Sequence, residues 1–274
     1  MSVINTNISA MKASNASISA NKQLGTAMER LSTGKRINGA KDDAAGLAIA
    51  TKMTADVRAM NQGIRNANDG IALAQTAEGA LNEVSNMLQR VRELAVQSKN
   101  GTYGTDDRGY LDAEVDELQA QMDDILTNTK FNGVTLFSKT TGTDVTVDVA
   151  TGAAATDKVT LTSKGIDGTK LTSTALDVTT ATLAATTITN VDAALKDVNA
   201  TRATLGAGQN RLESAVNNLT TNSTNLSDAR SRIEDTDYSQ ETTALAKAQI
   251  LSQASTAMIS QANQSQQNVL SLLR

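Results

Sequence analysis

The chain has no proline, cysteine, histidine or tryptophan, and only three tyrosines and two phenylalanines among its 274 residues. Each absence excludes something. Without proline, helices can run long without a break. Without cysteine there are no disulfides or thiolate metal sites, and the redox compartment is unreadable. Without histidine, a catalytic or zinc centre lacks its commonest base and ligand. Aromatics at 2% leave few large anchors for a compact core, which favours an elongated molecule with a narrow one. The net charge of −4 carries no basic signal for nucleic acid. No apolar run approaches the roughly 20 residues that cross a bilayer. The N-terminus lacks the basic region and apolar stretch of a conventional signal peptide. The expectation is a protein with no nucleic-acid partner, no membrane insertion and no cofactor.

What is present is concentrated at the two ends. From Glu241 to Arg274, Ala244, Ala248, Leu251, Ser255, Met258, Ala262, Ser265, Val269 and Leu272 recur in steps of four and three. That is the period of a coiled-coil seam. Between Thr242 and Leu273 the only charge is Lys247. Met1 to Met28 has the same character: Ile4, Ile8, Met11 and Ile18 recur at helical spacing, and Lys12 and Lys22 are the charges before Met28. Helices this thin in apolar area do not stand alone in water, because packing rather than propensity stabilises them. The two ends are expected to pair with each other and with the ends of other copies. The candidate packing residues are Ile4, Ile8, Met11, Ile18, Ala248, Leu251, Met258, Ala262, Val269 and Leu272.

Between the ends lies a more ordinary sequence. Gly34 and Asn38-Gly39 punctuate a linker, and Asp42 and Asp43 precede Ala44-Ala45 as N-cap candidates. Ala67, Ile71, Ala74, Ala77, Leu81, Val84, Leu88, Val91 and Ala95 predict a helix from about Asp43 to Ser98, with Gly63 and Gly70 as candidate interruptions. After a turn at Asn100–Gly104, Asp106 and Asp107 are candidate caps for a helix with stripe Leu111, Val115, Leu118, Met122 and Ile125. Helices joined by so short a loop run antiparallel. The period changes at Lys130. Asn132-Gly133 marks a hairpin turn, and Val145, Val147 and Val149, then Val159 and Leu161, alternate as half-buried strands. From Ser138 to Asn190, 17 of 53 residues are threonine, consistent with strand surface or exposed loop. Helical period returns at Ile188 and continues through Val191, Leu195, Val198, Leu205, Leu212, Val216, Leu219, Leu226 and Ile233. Gly206 and Gly208 are its soft spot. At about 1.5 Å per residue this is a rod of roughly 70 Å. Asp237 can cap the terminal helix.

The fold class is therefore mainly α with a small β appendage, an elongated helical bundle of N- and C-terminal segments. Three parts are expected. Residues 1–42 with 235–274 form a terminal helical domain. Residues 43–137 with 188–234 form a long-helix bundle. Residues 138–187 form a short variable hairpin region attached to it.

Leu31-Ser32-Thr33-Gly34-Lys35-Arg36-Ile37-Asn38-Gly39-Ala40-Lys41-Asp42-Asp43-Ala44-Ala45-Gly46-Leu47-Ala48-Ile49 resembles the N-terminal signature of bacterial flagellins. Ala229 to Tyr238 and Asn263 to Leu273 resemble its C-terminal signature. The resemblance covers roughly residues 1–137 and 188–274, and the short middle matches a minimal form without large outer domains. It implies a subunit that self-assembles into the flagellar filament for swimming motility, with tails disordered in the monomer and helical in the polymer. It implies an extracellular location reached through the flagellar export channel without a cleaved signal peptide. The implied partners are other copies of the chain, an export chaperone on the C-terminal seam, and hook-associated junction and cap proteins. A further implied partner is the host Toll-like receptor for flagellin, at Gln89, Arg90, Leu94 and Glu114. A hook–filament junction protein, which shares the terminal helices, is the alternative within the same machinery.

Other readings are weaker. The pairs Asp42-Asp43, Asp106-Asp107 and Asp123-Asp124 have no histidine to converge with, and acidic residues at helix starts are ordinary. Gly206-Ala207-Gly208 begins like a dinucleotide fingerprint, but Arg211 replaces the third glycine and no strand precedes it. A coiled-coil adhesin would need a membrane anchor. An enzyme is disfavoured by the missing histidine and cysteine.

Overall fold

The computed structural model describes residues 6–154 and 156–271, with side chains through 267. Five α-helices frame it: α1 (Ile8–Thr33), α2 (Ala44–Ser98), α3 (Thr105–Asn128), α4 (Ala181–Glu234) and α5 (Tyr238–Ser271). Two antiparallel hairpins lie between α3 and α4. One pairs β1 (Lys130–Phe131) with β2 (Val134–Thr135), and the other pairs β3 (Val145–Ala150) with β4 (Lys158–Ser163). A short 3-10 helix, Gly168–Leu171, follows. The expected class, helical with a small β part, is what the chain adopts.

The chain divides into two compact units, residues 1–57 with 224–274 and residues 58–223. Both divisions fall inside α2 and α4, further along the long helices than the expected boundaries at 42 and 235. The threonine-rich middle belongs to the second unit and has no unit of its own.

The second unit has a continuous apolar core. Along α2, Ala67, Ala74, Ala77, Leu81, Val84, Leu88, Val91 and Ala95 are buried, which is the expected stripe with only Ile71 half-exposed. From α3 come Val115, Met122 and Leu126, and from α4 Ala184, Val191, Ala194, Val198, Leu205 and Leu212. The β3–β4 hairpin presents Val149, Val159 and Leu161 to this core. In β4 the alternation of buried and half-buried residues is that of a strand with one face inward.

Caps start the helices. Asp43 Oδ1 accepts the Gly46 N–H at 2.8 Å ahead of α2, whereas Asp42 Oδ2 serves the linker by accepting from Asn38 and Gly39. α3 begins at Thr105, before Asp106, and the Asp107 carboxylate reaches back to the Gly104 N–H at 3.1 Å. Asp237 Oδ1 accepts from Ser239 at 2.8 Å and caps α5 as expected.

Two expectations change. Gly63 and Gly70 do not interrupt α2, which is one helix. They are where the β3–β4 hairpin lies on the helix backbone. A Cβ at Gly63 would collide with the Thr151 carbonyl, and one at Gly70 would stand 2.8 Å from a Val149 methyl. α4 begins at Ala181, seven residues before the periodic reading starts it at Ile188. Its first turns are threonine-rich, and tertiary bonds hold them: Thr187 donates to the Asp177 carbonyl at 2.7 Å and Asn190 to the Ala175 carbonyl at 2.7 Å.

The segment before α4 is pinned from three sides. Ser98 Oγ donates to the Val178 carbonyl at 2.5 Å, and the Asp112 carboxylate accepts the Val178 N–H at 2.9 Å. Burial pushes the Asp112 carboxyl above the usual carboxylate range, opposed by the Val178 bond, with neighbouring Asp177 and Asp116 adding to the rise.

Two predictions follow from this packing. Gly63→Ala forces a side chain against main chain that cannot swing away, and should destabilise the second unit by about 1–3 kcal/mol, read as a lower thermal midpoint. For Asp112, a folded pKa above the unfolded one favours the protonated form. That stabilisation is present below the unfolded pKa and lost as pH rises through the folded pKa. Asp112→Asn keeps an acceptor for Val178 without the charge, so it should raise the melting temperature at neutral pH and lose that advantage in acid.

Candidate assembly interface

In the first unit, α1 and α5 pair antiparallel. Asn7 Nδ2 donates to the Ala262 carbonyl at 3.0 Å, Ser252 Oγ donates to Asn21 Oδ1 at 2.9 Å, and Tyr238 Oη donates to the Leu31 carbonyl at 3.2 Å. These contacts run in opposite chain directions along the two helices.

The seam between them is made of small residues. On α1 the buried and half-buried positions are Ala10, Ala13, Ser17, Ala20, Leu24, Thr26, Ala27, Arg30 and Leu31. On α5 they are Glu241, Leu245, Ala248, Ser252, Ser255, Ile259, Ala262 and Gln266. Steps of three and four persist, but the α5 seam shares only Ala248, Ser255 and Ala262 with the stripe read from the sequence. Its alternate positions are Leu245, Ser252 and Ile259, one residue beyond Ala244, Leu251 and Met258. Alanine and serine at the contact let two backbones approach closely, so the frame that buries the most small residues displaces the frame with the largest ones.

The consequence is an apolar surface on the outside of the pair. Ile8, Met11 and Ile18 are 52%, 59% and 64% exposed. At about 100° per residue they lie on the face of α1 opposite Ala13, Ala20 and Ala27. On α5, Leu251 and Met258 flank the seam, and Ile250 faces away from it; all three are exposed. Ala248 and Ala262 are on the seam. Ile4 and Leu272 lie outside the described residues, as does the side chain of Val269.

The linkers that lead into this pair clamp each other. Lys35 and Asp235 form an isolated antiparallel bridge, the Arg36 N–H donates to the Glu234 carbonyl at 2.6 Å, and the Thr236 N–H donates to the Gly34 carbonyl at 3.0 Å. Arg36 Nη2 adds a bond to the Ile233 carbonyl at 2.7 Å. Ion pairs join Lys35 to Glu234 and Arg30 to Glu241. Gly34 takes a left-handed conformation (φ 71°), which ends α1 and turns the chain into the clamp.

A second cluster lies on the other unit. Arg90 Nε donates to Glu114 Oε1 at 2.8 Å, and its Nη1 donates to Glu93 at 3.2 Å. These two carboxylates, Glu114 foremost, raise the guanidinium pKa. Gln89 is exposed beside it. Leu94 is 1% exposed and belongs to the core, so its side chain is not presented with the other three. Gln89, Arg92, Glu93 and Val96 line a shallow open depression.

These features define a class: a helical structural protein whose terminal helices pair through small residues and expose large ones. Among the described residues no group of acidic side chains is arranged to hold a metal ion, and no helix is long and apolar enough to cross a membrane. Residues 4–142 match the bacterial flagellin N-terminal helical region, and residues 188–273 match the bacterial flagellin C-terminal helical region. The chain is 45% identical to the flagellin of Halalkalibacterium halodurans over 273 residues, covering 99% of this chain and 100% of that one. It is 41% identical to the flagellar filament 33 kDa core protein of Treponema phagedenis over 287 residues, covering 99% and 100%. The crystal structure of Bacillus cereus flagellin matches at 35% identity and a TM-score of 0.48, covering 61% of this chain and 94% of that one. The chain belongs to the bacterial flagellin family, a family of structural proteins and not of enzymes.

The seam makes a direct prediction. Ala20→Leu or Ala248→Leu places a branched side chain where the helices touch, and should cost about 1–3 kcal/mol of α1–α5 pairing. In assembled filaments, where α1 and α5 are ordered, a disulfide engineered between positions 21 and 252 should form readily in the otherwise unchanged chain and poorly in either leucine variant, as read on non-reducing gels.

Proposed function

We infer that the chain is the structural subunit of a bacterial flagellar filament, an extracellular helical homopolymer that acts as a swimming propeller. The observation that carries this reading is the outward apolar face of the α1–α5 pair, formed by Ile8, Met11, Ile18, Ile250, Leu251 and Met258. Each such side chain contributes about 1.5–3 kcal/mol when fully buried. Among the described residues nothing covers them, and further copies of the same helices would. Contacts repeated by translation and rotation without closure build an open helical polymer. Relatives named as flagellins or filament core proteins align along the whole chain, which favours the filament subunit over the hook–filament junction protein.

In dilute monomer the tails are disordered. Only Ala20 and Ala27 of α1 are fully buried, and ordering each residue costs about 1–2 kcal/mol. Two small side chains per 26-residue helix do not offset that; neighbouring subunits do. Disordered tails also suit export through a narrow channel without a cleaved signal. A chaperone would cover the same apolar residues before export, around Leu251, Met258, Val269 and Leu272. Junction and cap proteins would meet the tails at the ends of the filament. Gln89, Arg90 and Glu114 form the surface that a host Toll-like receptor would contact, with Leu94 supporting it from the core.

The test is seeded growth. Purified monomer added to filament fragments should elongate them. Chains lacking residues 1–33 or 238–274, and the variants Ile18→Asp and Met258→Asp, should not, while the melting transition of residues 58–223 stays in place. Normal elongation by any truncated chain would overturn the reading.

A further inference from the structure

The sequence contains three Asn-Gly pairs, Asn38-Gly39, Asn100-Gly101 and Asn132-Gly133. This dipeptide is where an asparagine side chain most readily reacts with its own backbone, because glycine places no side chain over the attacking nitrogen. In isolation the three are chemically alike. The fold makes them different.

At Asn38 the reacting groups are occupied. The Gly39 N–H, which must lose its proton to attack, donates to Asp42 Oδ2 at 3.1 Å, and the Asn38 N–H donates to the same oxygen at 3.1 Å. Asn38 Nδ2 donates to the Lys35 carbonyl at 3.0 Å, which holds the amide away from Gly39. At Asn132 the obstacle is conformational. Asn132 (φ 50°) and Gly133 (φ 84°) form the left-handed turn between the paired residues Phe131 and Val134. A five-membered ring there requires the turn to unwind and the hairpin to open.

At Asn100 the main chain is bonded, its carbonyl accepting from the Tyr103 N–H at 3.4 Å, but among the described residues nothing holds the side-chain Nδ2. Asn100 follows the last turn of α2 on an exposed loop, and its N–H donates to the Gln97 carbonyl at 3.1 Å. Asn100 Oδ1 accepts the Thr102 N–H at 3.3 Å. That bond closes an Asx turn and withdraws electrons from Cγ, the atom under attack. Among the described residues nothing accepts from the Gly101 N–H.

We propose that Asn100 is a site of spontaneous self-modification, deamidating through a cyclic imide while the fold protects Asn38 and Asn132. The Gly101 nitrogen forms a bond to Asn100 Cγ and loses its proton to solvent base. The Cγ–Nδ2 bond breaks and ammonia leaves. Water then opens the ring at one of its two carbonyls. Opening at Cγ restores a normal main chain, and opening at the main-chain carbonyl yields the β-linked isomer with one extra backbone atom. Both products carry a new carboxylate. It sits at the C-terminal end of α2, where the helix dipole disfavours negative charge. In the β-linked product the Asn100 carbonyl, which accepts from Arg108 Nη2 at 3.1 Å, is displaced. The α2–α3 connection is loosened by the reaction.

The test is peptide mapping by mass spectrometry of the full-length chain held in mildly alkaline buffer, native and in denaturing urea. In the native chain, conversion at Asn100 should exceed that at Asn132 and Asn38 several-fold. In urea the three should converge. Gly101→Ala should slow Asn100 several-fold, and Asp42→Ala, which frees the Gly39 N–H, should speed Asn38 several-fold while leaving it slower than Asn100, because Asn38 Nδ2 stays bonded to Lys35. Equal native rates at the three sites, or an order unchanged by urea, would overturn the proposal.

Discussion

Close approach of two helices through alanine and serine is the constraint on which the rest depends. α1 and α5 touch along Ala13, Ser17, Ala20 and Ala27 against Ala248, Ser252, Ser255 and Ala262. Small residues contribute little hydrophobic free energy, since the effect scales with the apolar area removed from water. A pair built this way is specific in geometry and weak in stability. Ile8, Met11, Ile18 and Ile250 are left outside, where a further copy can bury them. Weak intrachain pairing and strong interchain demand are two faces of one choice of residues.

The second unit is built the opposite way. Leucines, valines and a methionine from α2, α3 and α4 converge on a core that is closed within the chain. Glycines at 63 and 70 give up side chains so that a hairpin can lie against the α2 backbone. The chain thus carries a part that folds by itself beside a part that needs company, and the linkers at Lys35 and Asp235 hold the two tails in register where they enter the pair.

How far the sequence could be read follows from the same contrast. The stripe of α2 from Ala67 to Ala95 was legible because Leu81, Val84, Leu88 and Val91 recur at helical spacing in line with Ala67, Ala74, Ala77 and Ala95, and all eight are buried. The seam of α1 and α5 was legible only in part. Periodicity weights large residues, so on α1 it selects Ile8, Met11 and Ile18, which face away from the intrachain partner, and on α5 it joins Leu251 and Met258, which flank the seam, to Ala248, Ser255 and Ala262, which lie on it. The early start of α4 was hidden because Thr182, Thr186 and Thr187 are poor helix formers. Bonds to Asp177 and Ala175, invisible in a linear pattern, override that propensity. The family resemblance groups Leu94 with Gln89, Arg90 and Glu114, yet one further turn of the α2 stripe puts it in the core. The family signatures at Leu31–Ile49 and Ala229–Tyr238 were legible throughout, and they fall on the clamp and caps where backbone geometry constrains the residue choice most.

Backbone amide hydrogen exchange on dilute monomer and on filaments tests the central claim most directly. The account predicts rapid exchange throughout α1 and α5 in the monomer, strong protection of both in the filament, and slow exchange in residues 58–223 in either state. Protection of the two tails in dilute monomer equal to that in the filament would contradict it.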